Sequence, residues 1–116
     1  MFTLKSTFRA PACAMVLSAL VAVPAAHAVD ADAALALARQ NNCFKCHAVA
    51  KAKEGPAYKD VAAKYRGKPG AQERIVTHLT TGEKAKFPDG HEEEHKIISA
   101  KSPDEVKNLA DWILSQ

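Results

Sequence analysis

Aromatic side chains make up only 6% of the 116 residues, so rings can supply little of the bulk of a core, and something else must fill the middle. No run keeps up a two-residue alternation of apolar and polar positions, which argues against a sheet. Repeats, low-complexity tracts and long linkers are absent as well, leaving one compact unit as the simplest organisation. Methionine occurs only at Met1 and Met15, and cysteine only three times. What is present is the balance of an ordinary globular domain, 47% hydrophobic and 25% charged, which excludes a disordered or collagen-like chain.

The first residues read as a leader. Lys5 and Arg9 stand without an acid between Met1 and Arg9, Met15 to Val23 is apolar, and Ala26-His27-Ala28 has the small-x-small form of a signal-peptidase site. Residues 1–28 are therefore expected to be a secretory signal peptide cleaved after Ala28, with a periplasmic product. Pro11 and Pro24 interrupt the apolar run, which is short of the ~20 residues a spanning helix needs, so no stable membrane insertion is expected after cleavage. A lipid anchor at Cys13 is excluded because no apolar segment precedes it. The mature chain, Val29 to Gln116, is then a single domain of 88 residues with 14 basic and 13 acidic side chains. So small an excess gives no field for nucleic acid or an anionic membrane. A domain of this size often leans on disulfides, a metal or a cofactor.

The coarse pattern is all-α, with four or so short helices. Asp30 and Asp32 precede an alanine-rich stretch, Ala33 to Gln40, with acids at its positive N-terminal end. After the break at Gly55-Pro56, Ala57 to Tyr65 sets Tyr58, Val61, Ala62 and Tyr65 at helical spacing. Gly67-Lys68-Pro69-Gly70 is a turn, and Ala71 to Thr80 carries Ile75, Val76 and Leu79 on one face up to Gly82. The pattern loosens between Glu83 and Ala100, around Pro88-Asp89-Gly90. Ser102-Pro103-Asp104-Glu105 reads as an N-cap, a proline at the first helical position and the glutamate of a capping box. Val106, Leu109, Ala110 and Ile113 follow on one face.

Chemistry concentrates in Cys43-Phe44-Lys45-Cys46-His47. In an exported chain, Cys-x-x-Cys-His is the attachment signature of c-type haem. The two thiols add across the porphyrin vinyl groups, and the adjacent histidine is presented to the iron from the same turn of backbone. A thioredoxin-type pair lacks its usual βαβ context here, and a structural zinc site needs two more ligands at compatible spacing.

With its leader, its alanine-rich helix, Cys43 to His47, Gly55-Pro56-Ala57-Tyr58 and the terminal Leu109-Ala110-Asp111-Trp112-Ile113-Leu114, the chain resembles the small bacterial class I cytochromes c over nearly all of Val29 to Gln116. The resemblance implies a small cytochrome c-like fold around one covalently bound haem c. It implies Cys43 and Cys46 as attachment points and His47 as axial ligand to the iron, with its Nδ1 hydrogen given to the carbonyl of Pro56. Trp112 would pack where the last helix crosses the first. The implied activity is that of a one-electron carrier between redox partner proteins, not an enzyme.

One departure stands out. Such relatives bring a methionine sulfur to the far side of the iron, and the mature chain has none. Its histidines are His47, His78, His91 and His95. His95 falls where the methionine would lie, His91 would be one helical turn earlier, and His78 is expected to be a partly exposed surface residue. His95 is therefore expected to be the second iron ligand. Two imidazoles favour ferric iron, so the potential should be lower than with methionine. The alternative is a haem-based sensor or binder of nitric oxide, carbon monoxide or oxygen, with an open or displaceable distal site.

His91-Glu92-Glu93-Glu94-His95 also fits H-E-x-x-H, a zinc-protease pattern. It lies far from Cys46 for a zinc finger and in a chain too small for a protease cleft. Glu92 to Glu94 read more simply as a solvated face. Lys45, Lys51, Lys53, Lys59 and Lys64 cluster near the cysteine segment, where they would solvate the surface or steer an acidic redox partner. Tyr58, Ile75, Val76 and Leu79 are candidates for the cofactor wall.

Overall fold

The computed structural model describes residues 27–116, so all of the expected leader up to Ala26 lies outside the described residues. Four helices form the body: α1 (Ala31–Gln40), α2 (Tyr58–Tyr65), α3 (Ala71–Thr80) and α4 (Pro103–Leu114). A single 3-10 turn, Cys43–Lys45, follows α1. None of the described helices is long and apolar enough to cross a membrane.

The helix ends follow from local chemistry. Asp30 accepts a hydrogen bond from the Ala33 amide at 2.9 Å and so satisfies one orphan donor of α1. Ser102 does the same for Glu105 at the start of α4, at 3.4 Å. The reciprocal half of that box is shifted by one residue, because the Glu105 carboxylate takes the Lys101 amide at 2.8 Å. Pro103 fits the first helical position because the amide it lacks would have had no partner there.

The last helix is the organiser, packing against α1, α2 and α3. Its face of Val106, Leu109, Ala110, Trp112 and Ile113 is buried, as are Ala34, Leu37 and Ala38 of α1, Tyr58 of α2, and Ile75 and Leu79 of α3. Alanines on α1 and α4 let the two backbones approach closely. Asp30 and Asn108 exchange reciprocal bonds of 2.9 and 2.8 Å that pin the start of α1 to the middle of α4. Arg66, just after α2, donates to the Leu114 carbonyl at 2.9 Å, and Gln72 of α3 donates to Asp111 at 2.8 Å.

One sequence expectation needs correction. Between α3 and α4 the chain makes a small antiparallel hairpin of β1 (Lys84–Lys86) and β2 (Glu92–Glu94), pairing Lys84 with Glu94, Ala85 with Glu93 and Lys86 with Glu92. Its strands are three residues long, too short for alternation to register in the sequence. The fold class is unchanged: it is the small all-α fold, with this hairpin as an appendage.

Candidate functional site

A cavity of about 460 Å³ opens between the cysteine turn, α3, the hairpin and the segment before α4. Its apolar wall includes Val61, Ile75, Leu79, Ile98, Leu109 and Ile113, and its polar rim carries Cys43, Cys46, His47, His78 and His95. The volume is in the range of cofactor sites. Tyr58, Ile75 and Leu79 line it, whereas Val76 lines a separate shallow groove with Ala100 and Val106.

The cysteine turn owes its shape to two asparagines. Asn41 ends α1, and Asn42 takes the left-handed conformation (φ 58°) that turns the chain into the 3-10 segment. The Cys46 and His47 amides then both donate to the Cys43 carbonyl, at 3.2 and 3.0 Å, which draws the three side chains into one compact turn.

Cys43 and Cys46 are not joined to each other as a disulfide. Burial pushes the Cys43 thiol up, with the Tyr58 hydroxyl opposing it in part. Cys46 is also raised, by burial and then by the Glu54 carboxylate, to which its Sγ donates at 3.4 Å. A redox-active pair needs a depressed thiol. Neither cysteine has one, which weighs against the thioredoxin-type reading.

His47 is held on three sides. Its Nδ1 donates to the Pro56 carbonyl at 2.8 Å, which leaves Nε2 as the unprotonated nitrogen. Its ring stacks on Tyr58, centroids 5.1 Å apart and planes at 17°, and Tyr58 in turn meets Trp112 edge-on at 5.5 Å. On another side lies Gly55, where a Cβ would fall 2.4 Å from the His47 Cε1 atom. Only glycine fits there. In the sequence Gly55 read merely as a break before Pro56, since no local signal shows that a ring will lie against it.

Across the cavity stands His95. Its amide donates to the Glu83 carbonyl at 3.0 Å and its Nδ1 to the Lys96 carbonyl at 2.9 Å, so Nε2 is again the free nitrogen. The His95 and His47 rings are 6.3 Å apart and inclined at 51°. A metal bound to one nitrogen of each ring, at about 2 Å per bond, needs ring centres about 6 Å apart. Burial lowers the pKa of both histidines, the Pro56 bond opposing it at His47 and the neighbouring His78 adding to it at His95. Both shifts favour the neutral imidazole, the form that binds a metal. The paired thiols, two facing imidazoles and an apolar wall fit a porphyrin with its iron.

The other histidines depart from expectation. His91 is not one helical turn from His95, because residues 92–94 are extended strand. It lies exposed at the hairpin tip, its Nδ1 bonded to Asp89 and its Nε2 3.1 Å from Glu93. The helix that H-E-x-x-H requires is therefore missing, and among the described residues no three His, Cys, Asp or Glu side chains gather as a metal site. His78 is not simply a surface residue. It lines the cavity with its ring 4.1 Å from that of His95.

A second positioning residue also escaped the sequence. Buried Asn41 donates to the Ser99 carbonyl at 2.9 Å and accepts from the Ser99 amide at 2.8 Å, which fastens the segment after His95 to the end of α1. Its Nδ2 also donates to the Leu37 carbonyl at 3.0 Å. A lone asparagine after a helix reads only as a C-cap, because its partner lies 58 residues away.

The family model for cytochrome c matches residues 31–116. The chain is 40% identical over 87 residues to cytochrome c-551 of Allochromatium vinosum, covering 75% of this chain and 89% of that protein. It is 35% identical over 80 residues to cytochrome c-551 of Pseudomonas aeruginosa, covering 69% and 73%. Among solved structures it is similar to the class 1 cytochrome MtoD from Sideroxydans lithotrophicus ES-1, at 67% identity and a TM-score of 0.73 over 76% of this chain and 97% of that one. Wild-type cytochrome c552 of Nitrosomonas europaea is 34% identical with a TM-score of 0.56, over 70% and 96%. With the cysteine turn, the facing imidazoles and the apolar cavity already joined in one site, the chain belongs to the cytochrome c family as a small class I c-type cytochrome whose cofactor is one covalently bound haem c.

Proposed function

We propose that the chain is a periplasmic one-electron carrier whose haem is linked through Cys43 and Cys46 and whose iron lies between His47 and His95. The observation that carries the ligand assignment is the 6.3 Å separation of those two rings, each with its Nε2 left free, in one cavity with an apolar wall. The haem supplies the one-electron couple of its iron. The rest is work for the chain. Cys43 and Cys46 fix the group to the backbone, and Pro56 strengthens His47 as a donor by accepting its Nδ1 hydrogen. Ile75, Leu79, Leu109 and Ile113 keep water from the interior. Held by His47 and His95, the iron would meet two imidazoles, a donor set that favours the ferric state and would set the potential below that of a methionine-ligated haem.

Electron donors and acceptors are expected to dock near the cysteine turn; Lys45, Lys51, Lys53, Lys59 and Lys64 are all exposed, and Lys53 bonds the Phe44 carbonyl of that turn. An acidic partner would be steered there at a rate that falls as salt screens the charge.

The deciding experiment is optical spectroscopy of haem-loaded protein, with and without the substitution His95→Ala. The unsubstituted protein should be low-spin in both oxidation states and should not bind carbon monoxide rapidly. The variant should turn high-spin in the ferric state with the haem still covalently attached. A variant that stays low-spin overturns the ligand assignment. Rapid carbon monoxide binding by the unsubstituted protein overturns the carrier reading in favour of a gas-binding one.

A further inference from the structure

Beside His95 lies a second imidazole. His78 sits in the last turn of α3, and its ring centre is 4.1 Å from that of His95, with the planes inclined at 42°. Its own orientation is set from outside: Nδ1 bonds to the Glu83 carboxylate at 2.6 Å, and that carboxylate also takes Arg74 at 2.5 Å. Glu83 reaches back because Gly82 adopts the left-handed conformation (φ +68°) straight after α3. The same residue holds the main chain of His95, whose amide donates to the Glu83 carbonyl at 3.0 Å.

Glu83 therefore grips the distal residue twice, once through its backbone and once through the ring it lays against His95. Arg74, Glu83 and His78 are each about a third or more exposed, with side-chain exposures of 43, 30 and 32%. Such screened contacts add little to global stability. Their value is geometric. Main-chain bonding fixes where His95 stands and the Nδ1 bond to Lys96 holds one edge of its ring, while the His78 ring packed 4.1 Å away limits further turning about the Cβ–Cγ bond.

We propose that His78, braced by Glu83 and Arg74, is a positioning residue that holds the His95 ring against the iron and so keeps small molecules from displacing it. This rests on the reading of His95 as the distal ligand. Partners that orient a metal ligand in this way commonly change affinity by about 10- to 100-fold when removed.

The test uses haem-loaded protein carrying His78→Ala, His78→Phe or His95→Ala, and measures ferric spin state and the rate at which the ferrous form binds carbon monoxide. His78→Ala should remain low-spin but bind carbon monoxide about 10- to 100-fold faster than the unsubstituted protein. His78→Phe keeps a ring packed against His95 and should return the rate most of the way. Should His78→Ala bind no faster, or His78→Phe bind as fast as His78→Ala, the positioning role is wrong while the ligand assignment stands. If instead His78→Ala becomes high-spin and His95→Ala stays low-spin, His78 is itself the ligand and both readings fall.

Discussion

Gly55 leaves the space that the His47 ring occupies: a Cβ there would lie 2.4 Å from Cε1, 2.7 Å from Nδ1 and 2.9 Å from Nε2. The whole ring is pressed against this backbone position, with Pro56 next in the chain accepting the Nδ1 hydrogen. Gly55→Ala should therefore push the ring off its Pro56 bond. The expected cost is about 1–3 kcal/mol, as for other forced overpacking. Denaturant unfolding of the haem-loaded protein measures it, and on the proposed ligation the visible spectrum should report a disturbed iron site.

Asn41 satisfies both backbone groups of Ser99 with one side chain. Asn41→Ala leaves them without partners, at about 1–3 kcal/mol for each buried group that water does not reach. Hydrogen exchange at the Ser99 amide should accelerate with it. Covalent haem attachment should persist, since the cysteine turn closes through its own backbone bonds. Unchanged exchange at Ser99 would show that the side chain does not fasten this segment.

His91 gives a pH signature. Its pKa is raised above the ordinary 6.5, chiefly by the hydrogen bond to Asp89 and also by that to Glu93. A raised folded-state value means that its contribution to stability is complete below pH 6.5 and is lost as pH rises through the folded pKa. NMR titration of the haem-loaded protein should find His91 titrating above 6.5, and Asp89→Asn should bring it down. On the proposed ligation, His47 and His95 should show no such titration. A His91 that fails to titrate would reopen its claim as ligand.

Leu109 is the most completely enclosed large side chain, 1% exposed, and it borders both the helix packing and the cavity. Leu109→Ala should cost about 2–5 kcal/mol, the range for such core truncations. A change within a few tenths of a kcal/mol in denaturant unfolding would mean that the bound haem, not the helix packing, dominates stability.

Much of this protein was set along the chain itself. The capped start of α4, the acids leading α1 and the 3.6-residue spacing of Ile75, Leu79, Val106, Leu109 and Ile113 are local properties. So is Cys43 to His47, because its three reactive groups are drawn together by a single turn of backbone. Short-range geometry of this kind can be read without knowing what packs against it.

Tertiary structure decided the rest, because each remaining feature joins residues distant in the chain. That His95 faces His47 while His91 points away depends on a hairpin whose three-residue strands carry no periodic signal. That Gly55 must be glycine depends on a ring eight residues earlier, Asn41 acts on a partner 58 residues away, and His78 of α3 meets His95 from beyond the hairpin. Residue type can supply the imidazoles, but only the folding of the loop between α3 and α4 decides which of them points inward.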